Sequence, residues 1–190
     1  MANLLQTRLT LIARVRDPAD HSAWTEFATL YTPIIFGFLT KRGLSPTDAE
    51  DVTQEVFRSL AQALPTFQLD RSIGTFRNWL FTVTRSKLNT HLAKSRKIDI
   101  PTSDLPEPNE TTAWDQLYLK ELFAKACQIV QADTDNISWQ AFWRTAVEDQ
   151  PPKDVANALN LSLDNVYQKK SRLSARIREA IATLDDSAIE

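Results

Sequence analysis

Glycine is scarce: Gly37, Gly43 and Gly74 are the whole supply in 190 residues. That excludes a Gly-rich phosphate loop and leaves too few turn residues for the closely spaced strands of a β-sandwich or barrel, so helices are expected. Cys127 is the one cysteine. It excludes an internal disulfide, argues against a thiolate zinc site, and reads as a core residue. The two histidines, His21 and His91, are far apart in sequence, so neither a metal site nor a cofactor is expected. No apolar run nears the ~20 residues needed to cross a bilayer, and the N-terminus has no charged-then-apolar leader. The expectation is a cytoplasmic protein without membrane insertion.

What is present belongs to a folded chain: 43% hydrophobic and 24% charged residues are values of a globular protein. The length allows one ordinary domain or two small ones. The net charge of −2 speaks against nucleic acid only on average. Between Phe76 and Lys97 stand Arg77, Arg85, Lys87, Lys94, Arg96 and Lys97 with no carboxylate. From Asn165 to Arg178 stand Lys169, Lys170, Arg172, Arg176 and Arg178, again with none. Acids concentrate between them, at Asp104, Glu107, Glu110, Asp115, Glu121, Asp133 and Asp135. Two basic helices thus flank an acidic centre.

Apolar residues recur at helical spacing from Leu4 to Val15 and again from about His21 to Lys41, where Trp24, Phe27, Leu30 and Tyr31 share a stripe and Gly43 follows as a stop. Ser45-Pro46-Thr47-Asp48 has the order of a capping box with proline at the first helical position. The helix it starts carries an apolar row of Val52, Val56, Leu60 and Leu64, sets Asp51, Glu55, Arg58 and Gln62 on another face, and stops at Pro65. After a loop from Thr66, Gly74 or Thr75 introduces a helix bearing Phe76, Trp79, Leu80 and Val83. Asn78, Arg85, Asn89 and Arg96 fall roughly on one side of it, which predicts a core side and a wet basic side.

Residues 98–112 hold Pro101, Pro106 and Pro108 among acids and few apolar anchors, the composition of an extended linker. The expected division is therefore a helical domain over 1–97, a linker over 98–112 and a second helical domain over 113–190. In the latter, Trp114 to Val130 reads as one helix, and Trp139, Phe142, Trp143, Ala146 and Val147 form the stripe of another. Pro152 to Leu159, a turn at Asn160-Leu161-Ser162 and a long helix capped by Ser162 make a helix-turn-helix. On the long helix Leu163, Val166, Leu173, Ile177 and Ile181 line one side, and Asn165, Gln168, Lys169, Arg172 and Arg176 the other. Amides mixed with cations suit a major groove, where they pair base edges and phosphates. An ordinary solvated helix would interleave Glu with Lys, and this face has no Glu.

These segments resemble a known family, the sigma factors of bacterial RNA polymerase, of the minimal extracytoplasmic-function type. LYTPIIFGFLTKRGLSPTDAEDVTQEVFRSLAQAL followed by FRNWLFTVTRSKLNTHLAKSRK is similar to sigma region two, and ANALNLSLDNVYQKKSRLSARIRE occupies the place of the region-four helix-turn-helix. The resemblance implies an all-α, two-domain protein that brings core RNA polymerase to promoter DNA. The helix from Asp48 would dock on the polymerase through Asp48, Asp51, Gln54, Glu55 and Phe57, with Phe57 as core residue the alternative. The helix from Phe76 to Lys97 would open and read the minus-ten element, with Phe76, Arg77, Asn78, Trp79, Arg85, Asn89 and Arg96 as candidates. Arg71, Ser72 and Thr75 in and after the preceding loop would help hold an extruded base. For Phe76 and Trp79 core packing is the competing reading. Ser162, Asn165, Gln168, Lys169, Arg172 and Arg176 would read the minus-thirty-five element. An anti-sigma protein is a further partner the resemblance allows, and a monomer suffices when free. Pro151-Pro152 departs from the family pattern where a Ser- or Thr-initiated helix entry is usual, and Asp164-Asn165 stands in place of a common Gly-Thr pair.

Two other classes fit parts of the sequence. Asp48, Glu50, Asp51 and Glu55 cluster within two turns, as a metal-dependent enzyme would need, but without a histidine, phosphate loop or nucleophile motif beside them; a non-enzyme is expected. A stand-alone helix-turn-helix regulator that binds operator DNA as a dimer is the stronger rival.

Overall fold

The computed structural model describes residues 7–67, 75–96 and 108–184, all helix and connecting turn. The chain runs through α1 (Thr7–Arg14), α2 (His21–Lys41), α3 (Pro46–Ala63), a 3₁₀ turn at Leu64–Thr66, α4 (Phe76–Arg96), α5 (Pro108–Ala132), α6 (Asn136–Ala146), α7 (Pro152–Leu159) and α8 (Leu163–Leu184). The expected helix-turn-helix is α7 followed by α8. Among the described residues no helix is long and apolar enough to cross a membrane. The described residues up to Glu121 form one compact unit and those from Leu122 another.

Local chemistry sets the ends of these helices. Asp20 caps α2 by accepting from the Ala23 amide at 2.8 Å while Arg14 grips the same carboxylate, which ties α1 to the start of α2. Gly43, at φ 91°, takes the left-handed turn that ends α2, and the Leu44 amide closes back on the Leu39 carbonyl. Ser45 caps α3 by accepting from the Asp48 amide, with Pro46 in the first turn. Asp48 answers differently from a standard capping box: its carboxylate accepts from the Ser45 hydroxyl at 2.6 Å. Thr75 caps α4 through the Asn78 amide.

The first unit is built around aromatic rings. Phe27 and Tyr31 of α2 meet Phe76 of α4 edge-on, while Phe38 meets Phe81 of α4 and Trp114 of α5. Val52, Val56 and Leu60 close it from α3. Trp114, Leu117 and Tyr118, which the sequence pattern places in the second domain, are buried in this first unit. Leu117 packs closely over Gly37, where a Cβ would stand 3.2 Å from a Leu117 methyl. The boundary between units therefore falls inside α5, and the last residues of the expected linker, 108–112, are the start of that helix. Proline at the first position starts a helix as readily as it stiffens a linker. Residues 98–107 lie outside the described residues.

In the second unit α8 packs along α6, with Leu173, Ile177 and Leu184 buried, while α7 contributes Val155 and Ala156 against Val166. Asn160 takes the left-handed conformation, φ 52° and ψ 46°, that ends α7, and Ser162 accepts from the Asn165 amide to start α8. The Lys170 ammonium donates to the Thr145 carbonyl at the end of α6, where the helix dipole favours a cation. Cys127 is buried, as its sequence context suggests, and burial raises its thiol pKa. Val147, expected on the α6 stripe, is exposed beyond the helix end.

Replacing Trp114 with Ala should cost about 3–5 kcal/mol and loosen the first unit: in hydrogen exchange, α2 and α4 amides should lose protection while α6 to α8 keep theirs. At the start of α6, the Ser138 hydroxyl and amide, followed by the Lys169 charge, hold the Asp135 carboxyl below its ordinary range. A depressed carboxyl stabilises the fold above its unfolded pKa and loses that effect as pH falls through the folded value. Asp135→Ala should therefore lower the Tm at pH 7, and the gap to the unaltered chain should shrink in acid.

Candidate partner and nucleic-acid interfaces

The outer face of α3 is open. Asp51, Gln54 and Glu55 are exposed, the last paired with Arg58 one turn on. Phe57 is half-buried, its ring edge-on to Phe27 at 6.0 Å, so it serves the core and still reaches the surface. Gln54, Phe57 and Arg58 line an open groove of about 650 Å³ with Trp24 and Phe36 of α2. Asp48 stands apart at the helix start, hydrogen-bonded to Ser45 and 3.6 Å from His91 of α4. Sequence spacing does not reveal the groove, because Trp24 and Phe36 lie on a different helix from Glu50, Gln54 and Phe57. Among the described residues no group of His, Cys, Asp and Glu could hold a metal ion.

The two sides of α4 differ from the expected division. Phe76 is core, 2% exposed. Trp79 is half-buried and lies 4.3 Å from the Phe67 ring, tilted by 37°; the core and surface readings of this residue meet in a partly open aromatic pair. Asn78 is exposed and Asn89 half-buried, and Thr75 is engaged as the cap of α4. Arg71 and Ser72 lie outside the described residues, as does the side chain of Arg96. The expected wet basic side is not open at Arg85, and the candidate Arg77 is covered as well. The Arg85 side chain, 14% exposed, donates to Glu110 at 2.8 Å. The Arg77 side chain, 19% exposed, lies 3.5 Å from Asp115 with its guanidinium over the Tyr118 ring. The physical reason is that α5 starts at Pro108 rather than at Trp114, and its early turns bring acids onto α4. Nothing in sequence spacing links Glu110 to Arg85, 25 residues away.

On α8, Ser162, Asn165, Gln168 and Arg172 are exposed. Lys169 and Arg176 are not free to the same degree: Lys169 donates to Ser138 at 2.6 Å, and Arg176 pairs with Asp133 at 3.0 Å. These residues border a polar groove of about 200 Å³ between α8 and the α5–α6 turn, where Asp133 and Asp135 face the cations. Charge on this face is therefore partly neutralised from within the unit, which the acid-free run of α8 alone conceals. Tyr167 is not among the expected residues. It is 51% exposed and lies between Asn165 and Gln168 on the same helix.

Parts of this chain match known proteins. Residues 27–98, from α2 through α4, match the family model of sigma-70 region 2. The ECF RNA polymerase sigma factor RpoE of Cereibacter sphaeroides is 29% identical over 102 residues, 54% of this chain and 51% of that protein. The chain thus spans about half the length of this curated relative. A solved structure of CnrH in complex with the cytosolic domain of CnrY aligns over 93% of this chain and 97% of that chain, at 19% identity and a TM-score of 0.38. Residues 27–98 thus carry a sigma-70 region 2, and over 102 residues the chain is similar to an ECF RNA polymerase sigma factor.

Proposed function

We propose that this chain docks on core RNA polymerase and directs it to promoters, with α3 as the docking helix, α4 as the helix that holds the opened minus-ten strand, and α8 as the reader of the minus-thirty-five element. The observation that carries the reading is the face of α3: Asp51, Gln54 and Glu55 are exposed, and Glu50, Gln54 and Phe57 of the same helix line an open apolar groove, inside the segment that matches region 2. An aromatic anchor with a charged rim is the composition of a protein-binding hot spot, and the carboxylates would steer a basic partner surface.

Support for α4 comes from its chemistry. The Trp79 and Phe67 rings supply a stacking surface, and Asn78 and Lys87 supply polar and cationic groups for a single strand. For α8, the helix-turn-helix leaves Asn165, Gln168 and Arg172 exposed along its second helix, the placement that base-edge and phosphate contacts require.

Asp51→Arg should weaken capture of core polymerase in a pull-down by about tenfold or more, equivalent to about 1.4 kcal/mol; capture at the strength of the unaltered chain would count against docking through α3. In promoter binding by the reconstituted holoenzyme, Arg172→Ala should make the slope of log affinity against log salt shallower by about one unit. Lys169→Ala should change that slope less, because its ammonium is already held by Ser138. Equal slopes for all three proteins would remove α8 from the DNA interface.

A further inference from the structure

Glu110 of α5 is 6% exposed in its side chain, and both its oxygens are taken by arginines from outside that helix. Arg85 of α4 reaches Oε2 at 2.8 Å, and Arg42, just past the end of α2, pairs with Oε1. One buried carboxylate thus sits in a fork of two guanidinium groups. Phosphodiester oxygens offer a guanidinium the same paired acceptors as a carboxylate, and arginine recognises both in the same planar geometry.

The inference rests on the reading of α4 as the strand-holding helix. We infer that Arg42 and Arg85 form a backbone-phosphate site for single-stranded DNA, and that Glu110 fills this site in the free chain, so the first turns of α5 compete with nucleic acid. Arg42 lies outside the basic run of α4, and no spacing rule connects it to Arg85. Farther along the seam Asp115, itself part-exposed, lies 3.5 Å from Arg77.

Two observations favour a displaceable contact over a purely structural one. Among the described residues the seam leaves two buried donors without hydrogen-bond partners, Nε1 of Trp114 and Nε of Arg77, and an unpaired buried donor is a standing penalty against the closed arrangement. The surroundings also match a nucleic-acid strand better than an acidic peptide: α4 has no carboxylate of its own from Phe76 to Arg96, and the Phe67 and Trp79 rings lie tilted against each other at its start. Bases need such rings; acidic side chains do not.

The test uses the full chain with the Glu110→Gln substitution and a fluorescent single-stranded oligodeoxynucleotide of mixed sequence, followed by anisotropy across a salt series. Affinity at low salt should rise several-fold over the unaltered chain, and the log–log salt slope should steepen by about 0.7 for each further phosphate neutralised. Arg42→Gln added to Glu110→Gln should abolish that increase. In the unaltered chain, saturating oligonucleotide should also raise hydrogen exchange at the α5 amides from Glu110 to Glu121, a readout that holds even if Glu110→Gln does not fold. A folded Glu110→Gln chain that binds like the unaltered one, or α5 protection unchanged at saturation, overturns the inference while leaving the reading of α4 intact. If no form retains the oligonucleotide, free or on core polymerase, that reading fails and the inference falls with it.

Discussion

A carboxylate removed from water must be compensated in place, and Glu110 is compensated by two arginines from two other parts of the first unit. Burying an ion is costly unless its partners are close and its lone pairs are used, so this one contact constrains several elements together. It fixes the start of α5 against the end of α2 and the middle of α4. Trp114 then lands among Phe38 and Phe81, Leu117 over Gly37, and Tyr118 under Arg77. The helix that composition would assign to the second domain spends its first half completing the first.

The same contact changes how charge is distributed. Along the sequence, cations collect in two runs and acids between them. In the fold, the acids return to the cations: Glu110 and Asp115 to α4, Asp133 and Asp135 to the groove beside α8. The α3 surface differs, because Asp51 and Gln54 stand exposed there and Glu55 pairs with its exposed neighbour Arg58. On the proposed assignment of these faces, a chain with its docking acids open and part of its nucleic-acid cations covered is suited to bind a protein first and DNA afterwards. This order needs no change in net charge, only the exchange of internal ion pairs for external ones.

Much of the architecture is legible in the sequence because it depends on local rules. The Ser45 and Ser162 caps, the stop at Gly43, the break at Pro65 and the left-handed turn at Asn160 each follow from the residue at that position and its neighbours. The apolar stripes of α3 and α8 are equally legible, since helical periodicity alone selects Val56, Leu60, Leu173 and Ile177 for burial. What sequence does not disclose depends on pairing between distant segments. A run of prolines and acids before Trp114 looks like a linker, and it takes the receiving pair Arg42 and Arg85 to turn Glu110 into a core residue. Likewise, the freedom of Lys169 and Arg176 on α8 cannot be judged without Ser138 and the α5–α6 turn that face them.

The most direct test of the account is run-off transcription with purified core polymerase and genomic promoter fragments, with and without this chain. Discrete start sites should appear only when chain and core polymerase are combined, and the chain alone should show no tight binding to duplex DNA. A dimer of the chain that grips a palindromic duplex without polymerase, and leaves transcription by the core unchanged, would contradict it.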